Sequence, residues 1–161
     1  MVIDFIGYLL FKLDNIRIRY VGKKNTSSVN NHGGIICGNA VVSYPSNITI
    51  GQNSYINGGH IIASPNAKIV IGSNCLISYN VHIRTSMHNY SRKDVPISKQ
   101  GSSESDVIIG DDVWIGYGAQ IMPGVTVAKG GVIGAGAIVT KNTEPYGVYV
   151  GCPAKLVKKR E

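Results

Sequence analysis

A chain of 161 residues forms one domain with room for a sizeable core. Its 16 Lys and Arg exceed 9 Asp and Glu, a formal charge of +7 that favours an anionic partner, while aromatic residues at 7% and the lack of a nucleic-acid-binding motif argue against nucleic acid. Three widely spaced cysteines, odd in number and without a CxxC pair, suggest neither a disulfide framework nor a cysteine zinc site and fit a reducing, cytoplasmic setting.

Residues 1–13 predict a short helix with Val2, Ile6, Leu9 and Leu13 on one stripe and Phe5 beside it. The stretch has no basic leader or small-residue cleavage site, and Asp4 and Lys12 break an apolar run too short to cross a bilayer. A repeat protein needs its open end closed, so a cap is the favoured role, with contact to a membrane surface the less favoured one. Ile16, Ile18 and Tyr20 alternate as an edge strand would, and Lys23 to Asn31 reads as a polar, turn-rich link. Residues 1–30 are thus expected to be a helix and edge segment at one end of the molecule.

From there a period of six takes over. Ile36 and Val42 are six apart, Ile50, Ile56 and Ile62 follow in sixes, and Ile71, Ile77 and Ile83 resume after extra residues at Ser64 to Lys68. The clearest run is Ile109, Ile115, Ile121, Val127, Ile133 and Val139, with Val113, Ala119, Val125, Gly131, Ala137 and Thr143 each four places on. Six is the repeat neither of a helix nor of a free strand; it is that of a parallel β-helix, one short strand and one corner per hexapeptide, three hexapeptides per coil. The aliphatic residue points inward, the small residue fits beside it, and Gly or Asn turns the corner. The expected fold is therefore all-β, a β-helix over residues 31–144.

One break interrupts it. Arg84 to Asp106, RTSMHNYSRKDVPISKQGSSESD, carries no repeat, yet the chain re-enters in phase from Ile83 to Ile109, so this loop of about 84–106 should project as an arm. Arms on rigid scaffolds are where reactive side chains are placed, and His88 stands near the start of this one. An imidazole suits removal of a hydroxyl proton near neutral pH. Asp111 and Asp112 read as turn formers, and residues 145–161 as a basic tail running from Lys155 to Arg160.

The run VIIGDDVWIGYGAQIMPGVTVAKGGVIGAGAIVTKN followed by VGCPAKLVKKR resembles the hexapeptide-repeat acyltransferases, and within them the galactoside, maltose and polysaccharide O-acetyltransferases, over roughly residues 33–161. The resemblance implies a left-handed coil, an exception to the right-handed crossover rule, and a homotrimer with an acetyl-CoA cleft between neighbouring subunits. It implies that His88 is the catalytic base and that Trp114 walls the cleft. Tyr117 and Ala135 would line the coenzyme groove, Thr140 and Lys141 would lie nearer its nucleotide, and Lys155 and Lys158 would meet its phosphates. The place of the family's acceptor-holding Asn falls at His60, beside Asn57, which implies an acceptor contact or a second proton-handling group at His60, against an outward-facing corner histidine, with Asn57 as a further acceptor contact. No metal is implied.

Thioester transfer to an alcohol needs a base, an oxyanion donor and a slot that aligns the thioester. The reading is an acetyl-CoA-dependent O-acetyltransferase acting on a sugar or polysaccharide hydroxyl by direct transfer, with a carbohydrate acceptor. An amino-sugar, serine or antibiotic acetyltransferase on the same fold is the alternative. A β-helical zinc enzyme of the carbonic-anhydrase type and a non-catalytic scaffold rank lower.

Overall fold

The structure, a computed structural model, describes residues 2–161, with side chains from Asp4 onward. The side chain of Val2, first in the expected stripe, lies outside the described residues.

The chain begins with one helix, α1 (Val2–Ser28). Five coils follow. Their strands are β1 (Asn30–Asn31), β2 (Ile35–Ile36) and β3 (Ala40–Ser43), then β4 (Ile48–Ile50), β5 (Tyr55–Ile56) and β6 (Gly59–Ile62), then β7 (Ile69–Ile71), β8 (Leu76–Ile77) and β9 (Val81–Arg84). An arm built on β10 (Ser86–His88) and β11 (Ser102–Glu104) intervenes. The coils continue with β12 (Val107–Ile109), β13 (Trp114–Ile115) and β14 (Gln120–Ile121), then β15 (Thr126–Val127), β16 (Val132–Ile133) and β17 (Ile138–Val139), and the chain ends in β18 (Gly147–Val150) and β19 (Lys155–Lys159).

Every third strand stacks in parallel, giving a prism with three faces: β1-β4-β7-β12-β15, β2-β5-β8-β13-β16-β18-β19 and β3-β6-β9-β14-β17, the last step of the second being antiparallel. The expected anchors from Ile109 to Val139 are all buried, as are their small partners, Thr143 included. Corners turn through left-handed residues stacked one above another: Asn53, Asn74, Asp112 and Gly130, at φ between 57° and 69°, form one column. Asparagine and aspartate tolerate that region because their short side chains bond locally; Asn53 donates to Asn74 Oδ1 at 3.2 Å, and Asp111 Oδ1 accepts from Ser73 N at 2.8 Å.

The expected edge strand at 16–21 is instead the middle of α1. Ile16 and Tyr20 are four apart and share an exposed helical stripe, while the Ile18 backbone lies against Gly38 of the first coil. Lys23 to Ser28, read as a link, completes the helix, and its polar side chains satisfy the first coil's free backbone groups. Asn25 donates to Ala40 O at 2.9 Å, and the Thr26 hydroxyl accepts from Ile36 N at 2.9 Å and lies 3.2 Å from Ile36 O. Ser27 and Ser28 donate to Lys24 O and Asn25 O, three residues back, at the end of the helix. The first half of α1 reaches past the prism with Phe5, Ile6, Leu9, Leu10, Phe11 and Leu13 exposed. Among the described residues no helix is long and apolar enough to cross a membrane.

Two further differences are local. The inward anchor of β6 is Ile61, fully buried and paired with Ile83, whereas Ile62 faces out opposite Arg84. The corner after Ile56 is one residue shorter than the one after Ile77, so a strict count of six slips there. Residues 145–161 are no loose tail: β18 extends the second face, β19 folds back on it, and Tyr149 turns inward above Ile133 with its hydroxyl accepting from Glu144 N at 2.8 Å.

Ile115→Ala, at a fully buried position, is expected to cost about 2–5 kcal/mol in urea unfolding. A Cβ added at Gly38 would sit 1.9 Å from Ile18 O. Gly38→Ala should therefore loosen α1 while the coils persist, seen as faster amide exchange confined to residues 18–28 and the first coil.

Candidate active site

The arm is pinned to the prism at its base. Thr85 is buried and its hydroxyl shares a hydrogen bond of 2.6 Å with that of Ser64, while Ser105 N donates to Thr85 O at 2.8 Å. Glu104 accepts from Asn66 N and Asp106 from Lys68 N, both at 2.7 Å, so the residues added at Ser64 to Lys68 form the socket for the returning strand. Farther out, β10 and β11 pair antiparallel, with His88 opposite Ser102. Asn89 N donates to Gly101 O at 3.0 Å and its side chain to Gln100 O at 3.1 Å. The Gln100 amide donates to Arg92 O and Val95 O, both at 2.7 Å. These cross-braces hold His88 in place although the residue itself is exposed.

Between arm and third face lies a cavity of about 560 Å³, walled by His82, Arg84, Ser86, His88, Ile62 and Tyr90 among others. The parallel register stacks outward residues into columns, placing His60 beside His82, and His82 beside Gln120. The two imidazoles lie 5.5 Å apart, centroid to centroid, tilted by 40°. Arg84 Nη2 is 3.3 Å from His82 Nδ1. A guanidinium only donates, so Nδ1 is the accepting nitrogen and His82 is neutral in that contact. Burial first, then the Arg84 cation and His60, hold His82 below the 6.5 ordinary for an imidazole. Arg84 was read as the start of the arm; it is the last residue of β9, two places from His82 on the same face. The signal that finds it is the alternation continuing past Ile83.

The other expected site residues lie elsewhere in the single chain. Asn57 sits at the corner before β6 and accepts from Cys37 Sγ at 4.0 Å. Trp114, 53% exposed, stands on the second face in a cavity of about 330 Å³ with Asn74, Leu76, Val132 and Arg160. It belongs to an outward apolar column running Ile35, Tyr55, Leu76, Trp114, Val132, Val148. Tyr117 is exposed at the corner between second and third faces, its hydroxyl accepting from Asn80 Nδ2, and Ala135 stacks on it through Gly136 N donating to Tyr117 O at 2.8 Å. Beside them Gly118 and Gly136, at φ 68° and 66°, have open space where a side chain would stand. Thr140 and Lys141 are exposed just after β17, and Lys155 and Lys158 along β19. Arg92, farther along the arm, is held by Asp94 at 2.7 Å.

Cys75 is buried, its thiol raised by burial and 3.1 Å from Gly110 O; no cysteine walls the His88 cavity. Among the described residues no three His, Cys, Asp or Glu come together to hold a metal ion. A larger cavity, about 770 Å³, lies between α1 and the first coil around Arg19, Gly22, Thr26 and Ile35.

A prism of stacked hexapeptides carrying a pinned, His-bearing arm defines a hexapeptide-repeat β-helix with a cavity beside an imidazole. Residues 106–141 match the family described as bacterial transferase hexapeptide (six repeats). The chain is 39% identical over 118 residues to the galactoside O-acetyltransferase of Escherichia coli (strain K12), covering 73% of this chain and 56% of that protein. It superposes on a galactoside acetyltransferase in complex with coenzyme A with a TM-score of 0.69 and 33% identity, covering 84% of this chain and 67% of that one. For a maltose O-acetyltransferase from Clostridium difficile 630 the TM-score is 0.68 and the identity 34%, with coverages of 83% and 70%. The chain belongs to the hexapeptide-repeat acyltransferases, and its coil is their left-handed parallel β-helix. The chain spans 58% and 56% of the length of two curated relatives it matches, and between 26% and 61% of others.

In a side-chain NMR titration His82 is expected to titrate below 6.5, and Arg84→Gln should move its midpoint upward. The sign for stability follows: the unfolded chain binds that proton more tightly, so His82 weakens the fold as pH drops below 6.5.

Proposed function

We propose that this chain is an acetyl-CoA-dependent O-acetyltransferase acting on a hydroxyl of a sugar or polysaccharide unit. The observation that carries this reading is His88, held by a braced arm at the edge of a cavity, in a chain of this family. His88 takes the proton of the acceptor hydroxyl as its oxygen attacks the thioester carbonyl. The tetrahedral intermediate collapses, the C–S bond breaks, and the imidazolium returns its proton to the departing thiolate. Transfer is direct; no thiol lies where an acyl-enzyme would form.

The acyl donor lies along the Tyr117–Ala135 corner, where Gly118 and Gly136 leave bare backbone for a pantetheine chain to approach. Thr140 and Lys141 sit toward its nucleotide end, and Lys155 and Lys158 offer charge to its phosphates. Trp114 and His88 occupy different faces of one chain, so the working site joins two copies, Trp114 of one meeting the arm of the next. A homotrimer satisfies this, and the apolar column supports it, because Ile35, Tyr55, Leu76 and Trp114 within it are exposed and such a stripe fits a contact surface. His60, with Asn57 behind it, lies toward the acceptor. The cytoplasm is the compartment that fits this donor and the three free thiols.

His88→Ala should lower kcat by about 10²–10⁴-fold with acetyl-CoA affinity unchanged in calorimetric titration; near wild-type turnover would remove His88 from this role. Light scattering should give three times the 17.2 kDa chain mass, and a monomer that still turns over would overturn the shared site.

A further inference from the structure

Ile62, Met87, Tyr90 and Ile97 make the apolar part of the His88 cavity wall, and the polar part has one chemical character. Arg84 contributes a permanent cation, and its contact among the described side chains is the His82 ring nitrogen at 3.3 Å. With Nδ1 accepting from Arg84, His82 presents an Nε2–H, and Ser86 and Ser102 add hydroxyls. No carboxylate lines the cavity. The acids of the arm are committed elsewhere: Asp94 to Arg92 at 2.7 Å, Glu104 to Asn66 N and Asp106 to Lys68 N at 2.7 Å each. The ion pairs of the described residues engage Arg17, Arg92, Lys159 and Arg160, not Arg84.

A half-buried guanidinium bonded to one neutral imidazole keeps most of its five donors unspent, and a planar fork of that kind matches an oxyanion in bidentate fashion. A neutral sugar offers it only hydroxyls, which bind a cation more weakly than a charged oxygen does. The column continues the same way, since His60 stands 5.5 Å beyond His82 and adds another imidazole rather than an acid.

We propose that the acceptor bound in the His88 cavity carries an anionic group, a ring carboxylate or a phosphate ester, and that Arg84 recognises it. This rests on reading that cavity as the acceptor site, and it adds the substrate class: an acidic or phosphorylated sugar in place of a neutral one. Arg84 is a binding residue here, with no part in the proton transfer assigned to His88.

The test is a titration of the wild-type protein with galactose, galacturonate and galactose 1-phosphate, following the Arg84 Nε–H and His82 ring resonances. The expected result is saturable shifts with one or both anionic sugars at concentrations at least tenfold below any produced by galactose. The carboxylate and phosphate arms show which group is preferred. Arg84→Gln should abolish the preference and Arg84→Lys restore part of it, with the circular dichroism of each variant unchanged. Shifts alike for all three sugars, no shift with either anion, or an anion preference that survives Arg84→Gln would overturn the proposal. His88→Ala serves as the separating control. Anion binding retained in a variant that also keeps full turnover leaves Arg84 in place and removes His88, whereas lost turnover with no anion preference does the reverse.

Discussion

Everything in this molecule follows from the parallel ladder between successive coils. Each coil hydrogen-bonds to the next at the ordinary strand spacing of roughly 4.8 Å, and the inward aliphatics must then fall in register or leave voids. Outward residues fall in register as well, whether or not packing asks for it. The 5.5 Å separation of His60 and His82 is that ladder seen from outside. So is the apolar column through Trp114 and the bare corner beside Tyr117 and Ala135. A prism is a device for turning sequence positions one coil apart into neighbours.

The same ladder explains why the ends need separate treatment. The first coil has no coil beneath it, and α1 supplies hydroxyl and amide groups where a preceding strand would have offered backbone; Thr26 against Ile36 is the clearest instance. At the far end β18 continues the second face and Tyr149 occupies the place of an inward aliphatic, with the paired Asp112 and Arg160 tying the last residues to an earlier corner at 2.9 Å. Both ends are built from residues that carry no repeat.

That division sets what the sequence could reveal. Inward anchors from Ile109 to Val139 were legible because a period of six has one structural meaning, and the arm that bears His88 because a long polar break in such a period must project. The helix was half legible: Ile16, Ile18 and Tyr20 satisfy the alternation of a strand, while Ile16 and Tyr20 also have the i, i+4 spacing of a helix, and the Ile18 backbone packs against Gly38, which is distant in sequence. Ile62 was misplaced because one corner is a residue short, a deletion visible only through its pairing with Arg84. The position of Arg84 itself was hidden by the assumption that β9 ended where the hydrophobic pattern did. Trp114 and His88 were each recognisable, but their lying on different faces is a matter of coil geometry that spacing alone does not reveal.

The arm leaves and returns without disturbing the coils around it: β7 pairs directly with β12 and β9 with β14, as though residues 86–104 were absent. Chain can therefore be gained, lost or rewritten in that excursion without shifting a single core atom, at a closure cost that grows only slowly with length. Durability of the coils and the arm's side of the His88 cavity become separately heritable traits. One scaffold of this kind can carry different excursions so long as the carboxylates at the base of the arm keep their backbone partners.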